Sequence, residues 1–173
     1  MRPLIRLGRD SDFENIAALV ALYWEFENIP GYDRARITTL LADFLSEPQR
    51  GRCWVAEEGR RLVGYLLAVY LFSLEHGGMM AEIDEFFVLN EKRSLHIGTA
   101  LLDTASEAMT KDGITHLQLQ LSTQNLNAQR FYERHGFRSR SGRDVLSKAL
   151  QPERMSVTSL PHHNSISYPI SKK

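Results

Sequence analysis

One stretch constrains the fold more than any other. An apolar segment at residues 79–89 runs through the polar turn Asn90-Glu91-Lys92-Arg93-Ser94-Leu95-His96 into Ile97, Leu101, Leu102, Ala105 and Met109 at helical spacing. Asp112-Gly113 ends that pattern, and residues 114–121 alternate again as a strand. A helix between two strands carries the chain back along the sheet, which favours making the strands parallel neighbours. The chain is therefore an α/β protein.

The flanking patterns fill in the sheet. Residues 4–7 read as a short strand, and Asp10-Ser11-Asp12 supplies cap chemistry before Phe13, Ile16, Ala17, Val20, Tyr23 and Trp24 recur at helical spacing. Pro30-Gly31 interrupts, and a second helix runs from Asp33 through Ile37, Leu40, Leu41 and Phe44 to Pro48. Residues 53–57 and 62–72 read as antiparallel strands around the turn at 58–61, and residues 125–135 as a last helix ended by Gly136. Phe137 onward, with 145–150, is expected to supply the final strands. The order is β-α-α-β-β-β-α-β-α-β-β, a mixed, mostly antiparallel central sheet flanked by helices. Residues 1–150 form one expected domain. Residues 151–173 turn to Ser, His, Pro and Lys and read as a C-terminal tail, docked or at a subunit contact.

Composition narrows the function. The 173 residues carry 21 basic and 21 acidic side chains, so no whole-molecule field draws in nucleic acid or an anionic membrane. Any ligand is held by a local site. The lone Cys53 lies in a strand-like run and reads as a buried, inert thiol. His162-His163 lacks spaced partner ligands, so no metal is expected. Arg138-Ser139-Arg140-Ser141-Gly142-Arg143 has no interleaved aromatic residue and reads as a solvated loop. The N-terminus has no apolar leader and no apolar run is long enough to span a bilayer. The expectation is a soluble cytoplasmic protein.

Two segments carry chemistry. The first is the strand, turn and helix start at Arg93, Ser94, His96, Ile97, Gly98 and Thr99, where unpaired N–H groups and the positive end of a helix dipole meet at a point suited to pyrophosphate. The second is Asn125-Leu126-Asn127-Ala128-Gln129-Arg130-Phe131-Tyr132-Glu133-Arg134-His135-Gly136-Phe137. Together they resemble the GNAT (GCN5-related) N-acetyltransferase superfamily. Arg93 and Gly98 match its cofactor loop, which is Arg or Gln, two residues, Gly, one residue, then Gly or Ala. His96 stands where the first Gly is usual, and Ser94 where another Gly is frequent. The second segment matches the family pattern Asn-x-x-Ala-x-x-Phe-Tyr-x-x-x-Gly-Phe at every fixed position.

The resemblance implies a GNAT fold, acetyl-coenzyme A as cosubstrate without metal, and direct transfer to a primary amine of a small molecule or peptide in a ternary complex. It implies that Arg93, Ser94, His96, Ile97, Gly98 and Thr99 hold the pyrophosphate and that Asn125 meets the cofactor arm. A bulge in the fourth strand would free N–H groups near Phe87 and Val88 to polarise the thioester carbonyl. Tyr132 corresponds to the tyrosine that protonates the departing thiolate in many members. An alkyl ammonium with a pKa of ~10 is ~3 units above neutral pH, worth ~4 kcal/mol, so a base helps. Counted back from Val88, Glu82 matches the catalytic glutamate position of one branch, with Glu85 in reserve. In a regular strand Glu82 and Asp84 share one face and Glu85 takes the other. Tyr23, Trp24, Glu25, Phe26 and Glu27 lie where the family's first helices wall the acceptor pocket. Two readings stay open: an acetyltransferase, or a catalytically silent GNAT-like domain that senses a coenzyme-A thioester. Dimers are common among relatives, so a homodimer is open too.

Overall fold

The computed structural model describes residues 3–93, 95–140 and 145–148. Two units are distinguished, Met1–Phe137 and Arg138–Lys173. The first contains β1 (Leu4–Leu7), α1 (Phe13–Phe26), α2 (Arg34–Leu45), β2 (Gly51–Glu58), β3 (Arg61–Ser73), β4 (Gly78–Val88), α3 (Ile97–Lys111), β5 (Leu117–Leu119) and α4 (Leu126–Arg134). In the second, the described residues 138–140 and 145–148 have no regular secondary structure.

The five strands lie in the order β1-β2-β3-β4-β5. The first three neighbour pairs are antiparallel and β4–β5 is parallel, as the strand-helix-strand pattern requires. The core holds Trp54, Tyr65 and Leu66 from the sheet, Ile16 and Val20 from α1, and Leu101, Leu102 and Met109 from α3. These are the residues whose helical and strand periods mark an inward face. Cys53 is buried, and its burial raises the thiol pKa far above the ordinary value. No helix among the described residues is long and apolar enough to cross a membrane.

The strand bounds differ from the sequence expectation by more than one residue at three places. β2 begins at Gly51 rather than residue 53, because the missing side chain lets the backbone close on β3: a Cβ there would lie 2.1 Å from the Ala68 carbonyl oxygen. β5 is cut to Leu117–Leu119, since it pairs with β4 only at Ala81, Glu82 and Ile83 and then parts from it. The final strand pair is absent from the described residues. Phe137 is followed by Arg138-Ser139-Arg140, and Val145-Leu146 are adjacent rather than alternating, so neither stretch offers one apolar face. Residues 141–144 and 149–150 of that expected pair lie outside the described residues.

The start of α1 is fastened to the sheet by one cation with two carboxylates. Arg6 Nε donates to Glu57 at 2.6 Å, while Nη1 and Nη2 donate to the two Asp12 oxygens at 2.6 and 3.0 Å. Asp12 also accepts the Arg9 main-chain N–H at 2.8 Å. The bond from Arg6 is the largest influence holding the Asp12 carboxyl below its ordinary pKa of 3.8. A depressed acid contributes stability above its unfolded pKa and loses it as pH falls through the folded value. We expect Asp12→Asn to cost about 3 kcal/mol at neutral pH, since it leaves Arg6 under-compensated. Urea titrations between pH 7 and pH 3 check this: the gap between wild type and variant should close as the solution is acidified.

Candidate active site

A cleft of about 710 Å³ opens where β4 and β5 separate. Pairing stops at Ile83 and Leu119, so beyond it the β4 edge that faces away from β3 has no strand partner among the described residues. The walls come from β4 (Ile83, Asp84, Phe86, Phe87, Val88), residues 119–122 and the facing ends of α1, α3 and α4. A crossover helix makes this gap natural, because α3 packs over β2, β3 and β4 and its N-terminus sits at the carboxyl end of β4.

A bulge sets which β4 side chains face where. β3 pairs Leu67 with Glu85 and Ala68 with Ile83, which leaves Asp84 as the extra residue. Opposed residues of an antiparallel pair share a face. Tyr65 with Phe87, Leu67 with Glu85 and Val69 with Glu82 therefore put Phe87, Glu85 and Glu82 on one side, the side of α1. The regular-strand expectation, which separated Glu82 from Glu85, is corrected by that single inserted residue. Asp84 lines the cleft, and neither glutamate does.

Both glutamates are held by donors. Glu85 accepts from Trp24 Nε1 at 2.6 Å and from the Tyr65 hydroxyl at 2.8 Å. Burial outweighs those bonds and raises its pKa above the ordinary carboxyl value. Glu82 accepts from Gln118 at 2.6 Å and from Gln120, which lines the cleft, at 2.9 Å. Burial, followed by the neighbouring Glu82, raises Asp84 as well.

The turn before α3 supplies the opposite chemistry. The first main-chain bond at the helix start is Ala100 N–H to His96 O at 3.0 Å, and His96 makes no side-chain cap. The N–H groups of Ile97, Gly98 and Thr99 thus stand at the cleft, at the positive end of a fifteen-residue helix. His96 has φ 61° and ψ 13°, the left-handed conformation that a glycine would hold without cost. The departure from the glycine pattern changes the side chain and keeps the backbone. Gly98 lies beside the Phe131 and Phe86 rings, where a Cβ would make ordinary contact at 3.6 Å. Arg93 donates to Val88 O at 3.1 Å, and its guanidinium lies 4.6 Å from the Phe26 ring centre and 5.6 Å from that of Phe87. Ser94 lies outside the described residues.

From α4 come Phe131 and Tyr132. Tyr132 touches Phe86, Phe131 and Phe137, and burial raises its hydroxyl pKa well above the ordinary value, with Tyr23 and Glu27 adding to the shift. Tyr23 also lines the cleft; burial first, then Glu27, Glu85 and Asp84, push it up to about 12. Asn125 lines the cleft too, but its Oδ1 caps α4 by accepting the Ala128 N–H at 3.1 Å. Of the strand-four acids, sequence reasoning put forward Glu82 and Glu85 for catalysis and not Asp84; of the residues expected to wall an acceptor pocket, Tyr23, Phe26 and Glu27 line the cleft. For Asp84 the missing signal was the bulge position. The four-residue spacing of Tyr23 and Glu27 puts both on one helix face.

The acetyltransferase (GNAT) family model matches residues 16–137. An integron cassette protein from the mobile metagenome of Cole Harbour Salt Marsh is similar in structure, with TM-score 0.75 and 27% identity over 86% of this chain and 91% of that one. A possible acetyltransferase from Clostridium difficile 630 has TM-score 0.75 and 21% identity over 87% of this chain and 100% of the other. An aminoglycoside acetyltransferase from an uncultured soil metagenomic sample has TM-score 0.72 and 17% identity over 86% and 97%.

A left-handed histidine predicts its own replacement. His96→Gly should leave stability unchanged or raise it by up to about 1 kcal/mol, whereas β-branched His96→Val should lower it by about 1–2 kcal/mol. Thermal melts of the two variants against wild type decide this, and a destabilised glycine variant would contradict the conformational account.

Proposed function

Because this chain belongs to the GNAT family of acetyltransferases, with the match spanning residues 16–137, we propose that it transfers an acetyl group from acetyl-coenzyme A to a primary amine of a small molecule or peptide, by direct attack in a ternary complex. The observation that carries this reading is one cleft lined together by an uncapped helix start, an unpartnered strand edge and Tyr132. The cosubstrate supplies an acyl carbon activated as a thioester. The N–H groups of Ile97, Gly98 and Thr99 suit its pyrophosphate, and the β4 edge at Phe87 and Val88 suits its thioester arm and carbonyl oxygen. The sensor reading drew on the departure at His96, and a glycine-like backbone at that position takes away its support.

In the reaction the amine nitrogen bonds to the acyl carbon as the carbon–sulfur bond breaks. Tyr132, kept protonated by burial, gives its proton to the departing sulfur. Glu82, behind the cleft wall and bonded to Gln118 and to the cleft-lining Gln120, takes the ammonium proton through water. Glu85 is the second candidate, since burial raises its proton affinity. Asp84 and Glu27 give the cleft an acidic wall beside Tyr23, which suits a cationic acceptor. The same reading covers a catalytic domain of residues 1–150 in the cytoplasm.

Thiol release from acetyl-coenzyme A across a panel of amines tests the activity, and calorimetry tests binding. Gly98→Asp should abolish detectable cofactor binding by adding bulk and negative charge at the proposed pyrophosphate contact. Tyr132→Phe should bind normally and turn over about 10²–10⁴-fold more slowly. Glu82→Gln should lose most activity near neutral pH and recover part of it in alkali, where more amine is neutral. If Glu82→Gln kept an unchanged pH profile while Glu85→Gln lost activity, the base would be Glu85. Full turnover in Tyr132→Phe would remove the acid role.

A further inference from the structure

The last turn of α4 brings unneutralised positive charge to the cleft. Arg134 lies in that turn and lines the cleft together with His135. Arg130 stands four residues earlier, on the same stripe of the helix. Arg6, Arg34, Arg50, Arg52 and Arg61 each meet a carboxylate, whereas neither the Arg130 nor the Arg134 guanidinium has a hydrogen bond or an acidic partner among the described residues. The one acid of α4, Glu133, accepts from Gln129 on a different stripe, at 2.9 Å. Like charges four residues apart on a helix repel. A cation in the last turn complements the helix dipole, which accounts for Arg134 but not for Arg130 beside it.

Ring contacts fix where this pair stands relative to the turn before α3. A Cβ at Gly98 would lie 3.6 Å from the Phe131 ring, and that ring packs on His135 with centroids 4.4 Å apart. His135 Nδ1 is 2.8 Å from Phe131 O, and because a carbonyl only accepts, that nitrogen carries the proton and ties the imidazole to α4. Phe131 and His135 thus bridge the gap from the N–H groups at the start of α3 to the end of α4, where Arg134 follows in the same wall of the cleft.

Coenzyme A carries phosphate in two places, a pyrophosphate on the 5′ side of its ribose and a monoester on the 3′ oxygen. The start of α3 offers main-chain donors and a helix dipole for one of them. The other is a separate anion one ribose away, and a guanidinium meets phosphate oxygens with a planar fork of N–H groups. We propose that Arg134, with Arg130 adding to the local charge, receives the 3′-phosphate of coenzyme A, so that this chain selects the 3′-phosphorylated cofactor over its dephosphorylated form. This selectivity rests on the acetyl-coenzyme-A reading above, and it gives the start of α3 and the end of α4 different phosphates to hold.

Calorimetry on the full chain, with coenzyme A and dephospho-coenzyme A as the two titrants at fixed ionic strength, reads this selectivity without turnover. Wild type should bind coenzyme A at least about tenfold more tightly than dephospho-coenzyme A. Arg134→Gln should weaken coenzyme A about tenfold and leave dephospho-coenzyme A unchanged, which closes the gap. Arg134→Lys keeps the charge without the fork and should retain part of the gap. A merely structural role for Arg134 would weaken both titrants alike and preserve their ratio. Equal affinity of wild type for the two titrants overturns the proposal and leaves the coenzyme-A reading standing, as does a gap that survives Arg134→Gln. Binding of neither titrant by wild type would instead overturn the acetyl-coenzyme-A reading, and the 3′-phosphate site with it.

Discussion

The parting of β4 from β5 governs what this molecule can do. Parallel pairing survives for only three residue pairs, ending at Ile83 and Leu119. Had it continued, the edge of β4 from Asp84 to Val88 would spend its main-chain groups on β5, and no cleft would exist. Unmade backbone bonds are costly when buried, so such an edge persists only where solvent or a ligand can satisfy it. The bulge at Asp84 falls one residue past the last parallel pair. It adds local twist to β4 at the point where the partner strand leaves. Gap and bulge are therefore one feature of β4, and the uncapped start of α3 opens onto the space they create.

What holds the other wall of that space is a buried carboxylate. Glu85 receives the Trp24 indole from α1 and the Tyr65 hydroxyl from β3, so a single side chain ties the helix, the neighbouring strand and the bulged strand. An apolar residue at this position would leave two buried donors unmet. The charge carries its own penalty, visible in the raised pKa of Glu85. A raised acid favours the folded state below its unfolded pKa and weakens that contribution as pH rises through the folded value. That is opposite in sign to Asp12, whose depressed pKa makes it a net contributor at neutral pH. The two acids divide along a physical line: Asp12 meets a full positive charge, while Glu85 meets only neutral donors.

Much of this was legible in the sequence, and the rest was hidden for definite reasons. Periodicity located α1, α2, α3 and the antiparallel β2–β3–β4 run, because those elements bury one face and their apolar residues repeat accordingly. The strand-helix-strand pattern gave the parallel pair. Side-chain facing near the bulge was not legible, since a one-residue insertion inverts the alternation and leaves no mark in residue type. Asn125 could be placed at a helix start, but its Oδ1 is committed to the cap, which only the local backbone reveals. The last strands were expected from composition too thin to specify them: one phenylalanine and an adjacent Val145-Leu146 do not define a face. Gly98 and His96 show the limit of pattern matching from opposite sides. At Gly98 the matched glycine has no unusual φ and a Cβ would make only ordinary contact with Phe131 and Phe86, whereas at His96 the unmatched position holds the conformation that glycine usually supplies.

That conformation at His96 bears on how the site is assembled. A left-handed non-glycine residue costs roughly 1–2 kcal/mol, and it is retained only where surrounding structure over-determines it. Here the constraints are visible on both sides. Upstream, Arg93 is fixed by its bond to Val88 O and by the Phe26 and Phe87 rings. Downstream, Ile97 is buried in the core and begins α3. Between these anchors the chain must reverse from a strand edge into a helix whose axis runs back over the sheet, and the left-handed residue makes the final turn. Relaxing His96 to an ordinary helical φ would redirect the N–H groups of Ile97, Gly98 and Thr99 or pull Ile97 from the core. The core contacts of Ile97 and the clamp on Arg93 thus supply the energy that keeps three donors aimed at one point, so packing on either side of the turn sets its geometry.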